Sequence, residues 1–293
     1  MQERILITGA TGTVGTAIVK KLSNLDVHIR AGVHSIIKGE NLKYPNVEIC
    51  EIEYHRPESL KVAFTGVDRV FMITPLSPEQ LETAKLLIDQ ARECGVKHVV
   101  RLSAIGADAE PAIQMCRWHR EVEQYLQDSG LNYTILRPTT FMQNFVNYYG
   151  DSIRKGDCIY LPLGEGKVSY VDVRDIAEIA SEVLTTDRYF NQILDVTGPE
   201  ALSVEEVAQA ISDATGRQVR YVDVPEEGAR QSMQEMNMPG WMVDAYMELH
   251  HISKAGQIAA VSGTTEKVTG HKGHTVHDFA RQYAECFQPD QTK

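Results

Sequence analysis

The sequence predicts a doubly wound α/β fold with a parallel sheet and a smaller C-terminal lobe facing the substrate. Three observations carry that expectation. Short apolar runs alternate with helix-period segments up to Pro138, a glycine-rich loop joins the first run to the first helix, and the pattern loosens beyond Pro138. Strands that alternate with helices imply right-handed crossovers, hence a parallel sheet whose ligands gather at the strands' carboxyl ends.

In chain order, RILIT (4–8) reads as a buried strand and TVGTAIVKKLSN as the helix after it. VHIRAGV (27–33) and VEICEIE (47–53) are the second and third strands, and PESLKVAFTG is a helix. VDRVFMIT (67–74) is the fourth strand; the long segment SPEQLETAKLLIDQARECG that follows has proline at its start and glycine at its end, as helices prefer. VKHVVRLSA (96–104) is the fifth strand, WHREVEQYLQDSG a helix, and NYTILRP (132–138) a sixth strand stopped by proline. Farther on, DVRDIAEIASEVL (172–184) reads as a helix and QILDVTG (192–198) as a late strand. SVEEVAQAISDATG (203–216) carries Ser203 and, three residues on, Glu206, the capping-box signature of a helix start. VRYVDV (219–224) alternates as a short strand, and the remainder reads as helical and irregular. The expected division is a nucleotide-binding domain over 1–155 and a substrate lobe over 156–293, partly interleaved with the sheet.

Composition narrows the function classes. The 293 residues suffice for one large domain or somewhat more, with 43% hydrophobic and 24% charged residues. A net charge of −11 disfavours non-specific binding to nucleic acid or anionic membrane. No apolar run approaches the roughly 20 residues of a membrane span, and the N-terminal segment MQERILITGATG does not read as a secretory signal. The five cysteines are scattered, odd in number and without a Cys-x-x-Cys pair, which suits free thiols and a cytoplasmic location.

GATGTVG, Gly9 to Gly15, lies between the first strand and the first helix, the context a phosphate-cradling loop requires. Gly9 allows the tight turn, Gly12 lets backbone approach a pyrophosphate, and Gly15 lets the helix pack close on the sheet. The helix N-terminus adds free N–H groups and a positive dipole end. About 20 residues beyond such a loop an NAD site places an acid at the ribose. Here the segment runs Arg30-Ala-Gly-Val-His34-Ser35 with Lys38 nearby and no acid. His34 and Lys38, with Ser35, suit a 2′-phosphate, so NADP(H) is expected in preference to NAD(H).

Taken together with "LSA" (102–104) and "LRP" (136–138), the chain resembles the atypical short-chain dehydrogenase/reductase group with a Rossmann fold, specifically NmrA-like proteins. The matching stretches include LITGATGTVG (6–15), GVDRVFMITP (66–75), GVKHVVRLSAIGA (95–107), SGLNYTILRPTTFMQNF (129–145) and VDVRDIAEIA (171–180). VTGPEALSVEEVAQAISDATGR (196–217) and the terminal VTGHKGHTVHDFARQ extend the likeness over nearly the full length. Within the group, LRPTTFMQN and the C-terminal tail look most like festuclavine-type iminium reductases. The resemblance implies that Gly9, Thr11, Gly12, Thr13, Val14 and Gly15 meet the dinucleotide, and that His34 stands where the group often has an arginine at the 2′-phosphate. It places Thr74 and Pro75 at the adenosine half, Ser103 and Ala104 near the nicotinamide ribose, and Pro138, Thr139 and the residues to Phe141 beside the nicotinamide.

The resemblance also exposes a departure. Typical members carry Tyr-x-x-x-Lys on the helix after the fifth strand, followed by a glutamate four residues after the lysine. Anchored on Glu123, the lysine position is His119 and the tyrosine position is Met115. Methionine cannot donate a proton, and histidine replaces only part of what lysine does. Iminium carbons, quinones, cationic dyes and activated alkenes accept hydride without a strong acid, so these remain as substrates. His119 is then a candidate for holding the ribose or donating a proton near neutral pH, with Ser103 beside it.

Phe141, Met142, Asn144, Phe145, Tyr148 and Tyr149 follow the sixth strand. Phe141, Asn144 and Tyr148 are candidate substrate contacts, Tyr148 also a stand-in acid; the alternative is an apolar connection between lobes. The methionine-rich stretch 233–247 holds Trp241, a further candidate contact, and reads either as an adaptable lid or as core. Trp118 reads as packing, and Cys116 has no legible activating base. His271, His274 and His277 recur at threes but lack an acid or cysteine in register, so no metal is expected. The leading expectation is an NADPH-dependent oxidoreductase acting on a flat electrophilic small molecule, as a monomer or homodimer. The alternative is an NADP(H)-binding redox sensor without catalysis; an isomerase or epimerase is disfavoured by the missing tyrosine.

Overall fold

The structure, a computed structural model, describes residues 2–289. A seven-stranded parallel sheet forms its centre, with strand order β3-β2-β1-β4-β5-β6-β8. In chain order the first strands are β1 (Arg4–Ile7), β2 (His28–Val33), β3 (Val47–Glu51), β4 (Arg69–Met72), β5 (His98–Leu102) and β6 (Asn132–Pro138). The order reverses between β1 and β4, and such a switch point opens a crevice for ligand.

Successive side chains of a strand face opposite sides, and the core divides accordingly. Ile5 and Ile7 join one apolar cluster and Leu6 joins another. On the first side pack α1 (Thr13–Leu22) and, from later in the chain, α7 (Val173–Leu184). On the second pack α2 (Pro57–Phe64), α3 (Gln80–Glu93) and α4 (Gln114–Asp128). Covering both faces explains why the central strands read as continuous apolar runs. α4 begins one turn earlier than its sequence pattern suggests, which puts Met115 and Cys116 inside the helix.

After β6 come two short helices, α5 (Asn144–Asn147) and α6 (Gly150–Gly156), then β7 (Cys158–Leu161). α7 follows, and β8 (Gln192–Val196) returns to pair with β6 at the sheet edge. α8 (Val204–Thr215) has the expected capping box: the Ser203 side chain accepts from the Glu206 N–H, and Glu206 accepts from the Ser203 N–H. β9 (Arg220–Asp223) pairs in parallel with β7 as a separate two-stranded sheet. The sequence reading missed β7, because CIYL is only four residues long, too short to show a period.

The chain closes with α9 (Glu226–Glu235), α10 (Gly240–Lys254), α11 (Thr264–Thr269) and α12 (Val276–Gln282). α12 starts at a second capping box, Thr275 with Asp278. A third apolar cluster joins α8, α12 and the β7–β9 pair, with Leu249 and Ile252 of α10 packed against it. No helix among the described residues is long and apolar enough to cross a membrane. All five cysteines are free.

Candidate active site

A cavity of about 560 Å³ opens at the carboxyl ends of β1, β4, β5 and β6. Its floor is the glycine loop. Gly9 has a φ of +60°, a conformation glycine adopts without strain. A Cβ on Gly15 would stand 2.3 Å from the Gly9 carbonyl oxygen, so α1 packs against the loop only because residue 15 is glycine. The loop is tied to its neighbours: the Ala10 N–H donates to the Gly32 carbonyl at 3.0 Å. The Thr8 hydroxyl links β1 to β4, donating to the Ile73 carbonyl (2.7 Å) and accepting from the Ile73 N–H (2.8 Å). Gly12 caps α1 with no side-chain hydrogen bond, and the first turn holds no acid. The N–H groups there are thus open to an anion, and the residues fit a pyrophosphate.

Of the residues expected to meet the dinucleotide, Gly9, Gly12, Thr13, Val14, Gly15, Thr74, Ser103, Ala104, His119, Pro138, Thr139 and Phe141 line this one cavity. Asn144 and Tyr148, expected at the substrate, line it too. Thr11, His34, Ser35, Pro75 and Trp241 do not. Thr11 and Pro75 are exposed on the loops beside it. His34 and Ser35 follow β2, and Lys38 is exposed one turn later. Trp241 packs edge-on against Trp118, ring centroids 5.7 Å apart, joining α10 to α4. Sequence reading missed Arg101, Gln80, Leu249, Ile252 and Ile258, all of which line the cavity. α10, folded over the sheet, brings Leu249 and Ile252 there together with Tyr246 of the 233–247 stretch.

Met115 lines the cavity from α4, and His119 lines it one turn on. His119 faces the buried Arg101, whose guanidinium donates to the Thr74 hydroxyl (2.9 Å) and the Met72 carbonyl (3.2 Å). Arg101 Nη2 stands 3.5 Å from His119 Nδ1. A guanidinium only donates, so Nδ1 accepts and the ring proton is assigned to Nε2. Burial, with the Arg101 charge beside it, pushes the His119 pKa down to about 3. The imidazole is then neutral at neutral pH and presents an Nε2–H donor to the cavity. Burial also pushes the Cys116 thiol up to about 11, leaving it protonated and unreactive.

Ser103 is committed elsewhere as well. Its hydroxyl donates to Glu123 Oε1 at 2.5 Å. Glu123, 3% exposed, also receives Arg137 through Nε (2.9 Å) and Nη2 (2.6 Å), and Arg137 continues to Asp108 at 2.6 Å. With its proton on Glu123, Ser103 turns lone pairs rather than a proton toward a ligand. Thr139 likewise donates to the Ser169 carbonyl at 2.6 Å. The expected histidine cluster near the C-terminus divides between acids: His274 Nδ1 lies 2.5 Å from Asp175, and His271 Nε2 lies 2.6 Å from Glu178.

Comparison with known proteins agrees with this architecture. The NAD(P)H azoreductase of Xenophilus azovorans is 41% identical over 283 residues, covering 97% of this chain and 99% of that protein. Festuclavine dehydrogenase of Aspergillus fumigatus is 28% identical, covering 95% and 97%, so the likeness to the azoreductase is the stronger of the two. Among solved structures, the NADPH complex of Escherichia coli quinone oxidoreductase QOR2 superposes with a TM-score of 0.84 at 23% identity, covering 95% of this chain and 99% of that one. The NmrA-like family matches residues 1–278, and the chain belongs to that family.

Proposed function

We propose that this chain is an NADPH-dependent reductase that delivers hydride to a flat, electrophilic small molecule such as a quinone, an azo or cationic dye, a cyclic iminium or an activated alkene. One observation carries the reading: a single cavity, with Met115 on its wall, joins the phosphate-cradling loop to an apolar wall from the C-terminal lobe. The azoreductase relative, at 41% identity over nearly both chains, supports the reaction class. His34, Ser35 and Lys38 after β2, with no acid among them, support NADP(H) over NAD(H).

Bound NADPH supplies a hydride to the substrate. This chain's residues bind and orient around that step. The α1 N-terminus takes the pyrophosphate. The His119 Nε2–H and the Ser103 lone pairs offer a donor and an acceptor to ribose hydroxyls. Pro138 to Phe141 form one wall, and the apolar faces of Phe141, Leu249 and Ile252 exclude water from the reacting face. Tyr148, exposed at the mouth, is the candidate proton source where the product needs one. Such weak acid assistance suits substrates that are already electrophilic.

The test mixes purified protein, NADPH and a panel of quinones, azo dyes and cyclic iminium compounds. Substrate-dependent loss of the reduced-nicotinamide absorbance is expected; its absence with every compound contradicts the reading. Because both the tyrosine and lysine positions are replaced, a redox sensor is the second reading. It predicts tight binding that discriminates NADPH from NADP without turnover.

A further inference from the structure

The main cavity continues beyond Thr140, Asn144, Tyr148, Tyr246 and Leu249 into a side pocket of about 60 Å³. Its blind end is built from Tyr149, Tyr170, His250 and Ser253. One buried polar atom there lacks a protein partner. His250, one turn beyond Tyr246 on α10, buries its Nδ1 with no hydrogen-bond partner among the described residues. Burial holds its ring down to about 4, so it is uncharged at neutral pH. Burial also raises the phenols of Tyr149 and Tyr170, which line the same pocket. Both remain protonated donors.

A buried polar group without a partner costs about 1–3 kcal/mol, and native proteins keep such groups where a ligand or water completes them. The remaining wall is apolar, with Leu161, Leu163 and Val168, and no lysine, arginine, aspartate or glutamate lines the pocket. A charged substituent would be desolvated there without a counter-ion. At roughly 10–15 Å³ per water-sized probe, the pocket admits a few heavy atoms and no second ring. We propose that this side pocket is a substrate subsite that takes an uncharged oxygen substituent, hydroxyl or carbonyl, carried on the far edge of the flat substrate. The inference rests on the reductase reading and adds to it the pattern of substitution the enzyme selects.

The test pairs naphthoquinone with its 6-hydroxy derivative under saturating NADPH and compares kcat/KM. Wild type is expected to prefer the hydroxylated compound by about tenfold, the worth of one good hydrogen bond. His250→Phe, which keeps the volume, and Tyr170→Phe, which removes one hydroxyl from a well-packed ring, are each expected to bring that preference close to one. Calorimetric binding of the same pair to the NADP-loaded protein runs alongside. Loss of preference in either variant, in turnover or in binding, supports the subsite. No preference in wild type, or an undiminished preference in both variants, overturns it. If neither quinone nor any dye or iminium of the panel is reduced while binding of the pair still discriminates, the reductase reading fails and the subsite stands.

Discussion

Met115, His119 and Ser103 line one cavity, yet none of them offers it an acidic proton near neutral pH. The thioether has none, the Ser103 proton is held by Glu123, and burial, with the Arg101 charge beside it, keeps the His119 ring neutral. His119→Ala is expected to lower kcat/KM for NADPH about tenfold through the lost Nε2–H donor. Because the ring titrates near 3, the wild-type pH profile should show no inflection from His119 between about pH 5 and 8; an inflection that disappears in His119→Ala would contradict the assignment. Gly15 gives a second residue-level test. The Cβ of Gly15→Ala would stand 2.3 Å from the Gly9 oxygen, so helix and loop must part. A stability loss of about 1–3 kcal/mol and at least tenfold weaker NADPH binding are expected, read by denaturation and by fluorescence titration. The glycine loop was legible because its spacing states its geometry. Arg101 was not, since nothing in HVVRL marks a buried guanidinium.

At the scale of elements, α4 is fixed to the sheet by Glu123, through the bidentate pair with Arg137 of β6 and the Ser103 hydroxyl beyond β5. Removing one member of a buried pair leaves an uncompensated charge and costs about 3 kcal/mol or more. Glu123→Gln should therefore lower the unfolding free energy by about that amount in urea, and an unchanged midpoint would show that the pair adds nothing net. α10 divides its contacts between two neighbours. Trp241 and Tyr246 are five positions apart, about 140° around a helix, so the tryptophan that looked like a substrate contact turns to Trp118. Tyr246, Leu249 and Ile252 face the cavity. Local periodicity marks a helix and its apolar stripe, but not which neighbour the stripe meets. The 233–247 stretch divides between interior and surface. Met233 is buried while Met236 is exposed.

Across the whole molecule, the first six strands were legible because parallel strands covered on both faces must be apolar along their length. The second lobe was less so: its small β7–β9 sheet pairs strands about sixty residues apart. Acid stability also belongs to this scale. His98 is fully buried against Thr134 at 2.8 Å, and burial lowers its pKa from 6.5 to about 4. The unfolded chain then binds more protons than the folded one in that window, so stability is complete above about pH 6.5 and falls as the pH drops toward 4. The full effect is about 3 kcal/mol. Urea midpoints at neutral and acidic pH should show it, and His98→Gln should flatten the fall; an equal fall in the variant would assign the acid sensitivity to other groups. The most direct test of the central claim is a crystal structure with NADP and a bound quinone. The account predicts the pyrophosphate on the α1 N-terminus, the nicotinamide beside Pro138 to Phe141, and the quinone within about 3.5 Å of its reactive carbon under Tyr148 and α10. A nicotinamide outside the cavity, or a reacting face closed by protein side chains, would contradict it.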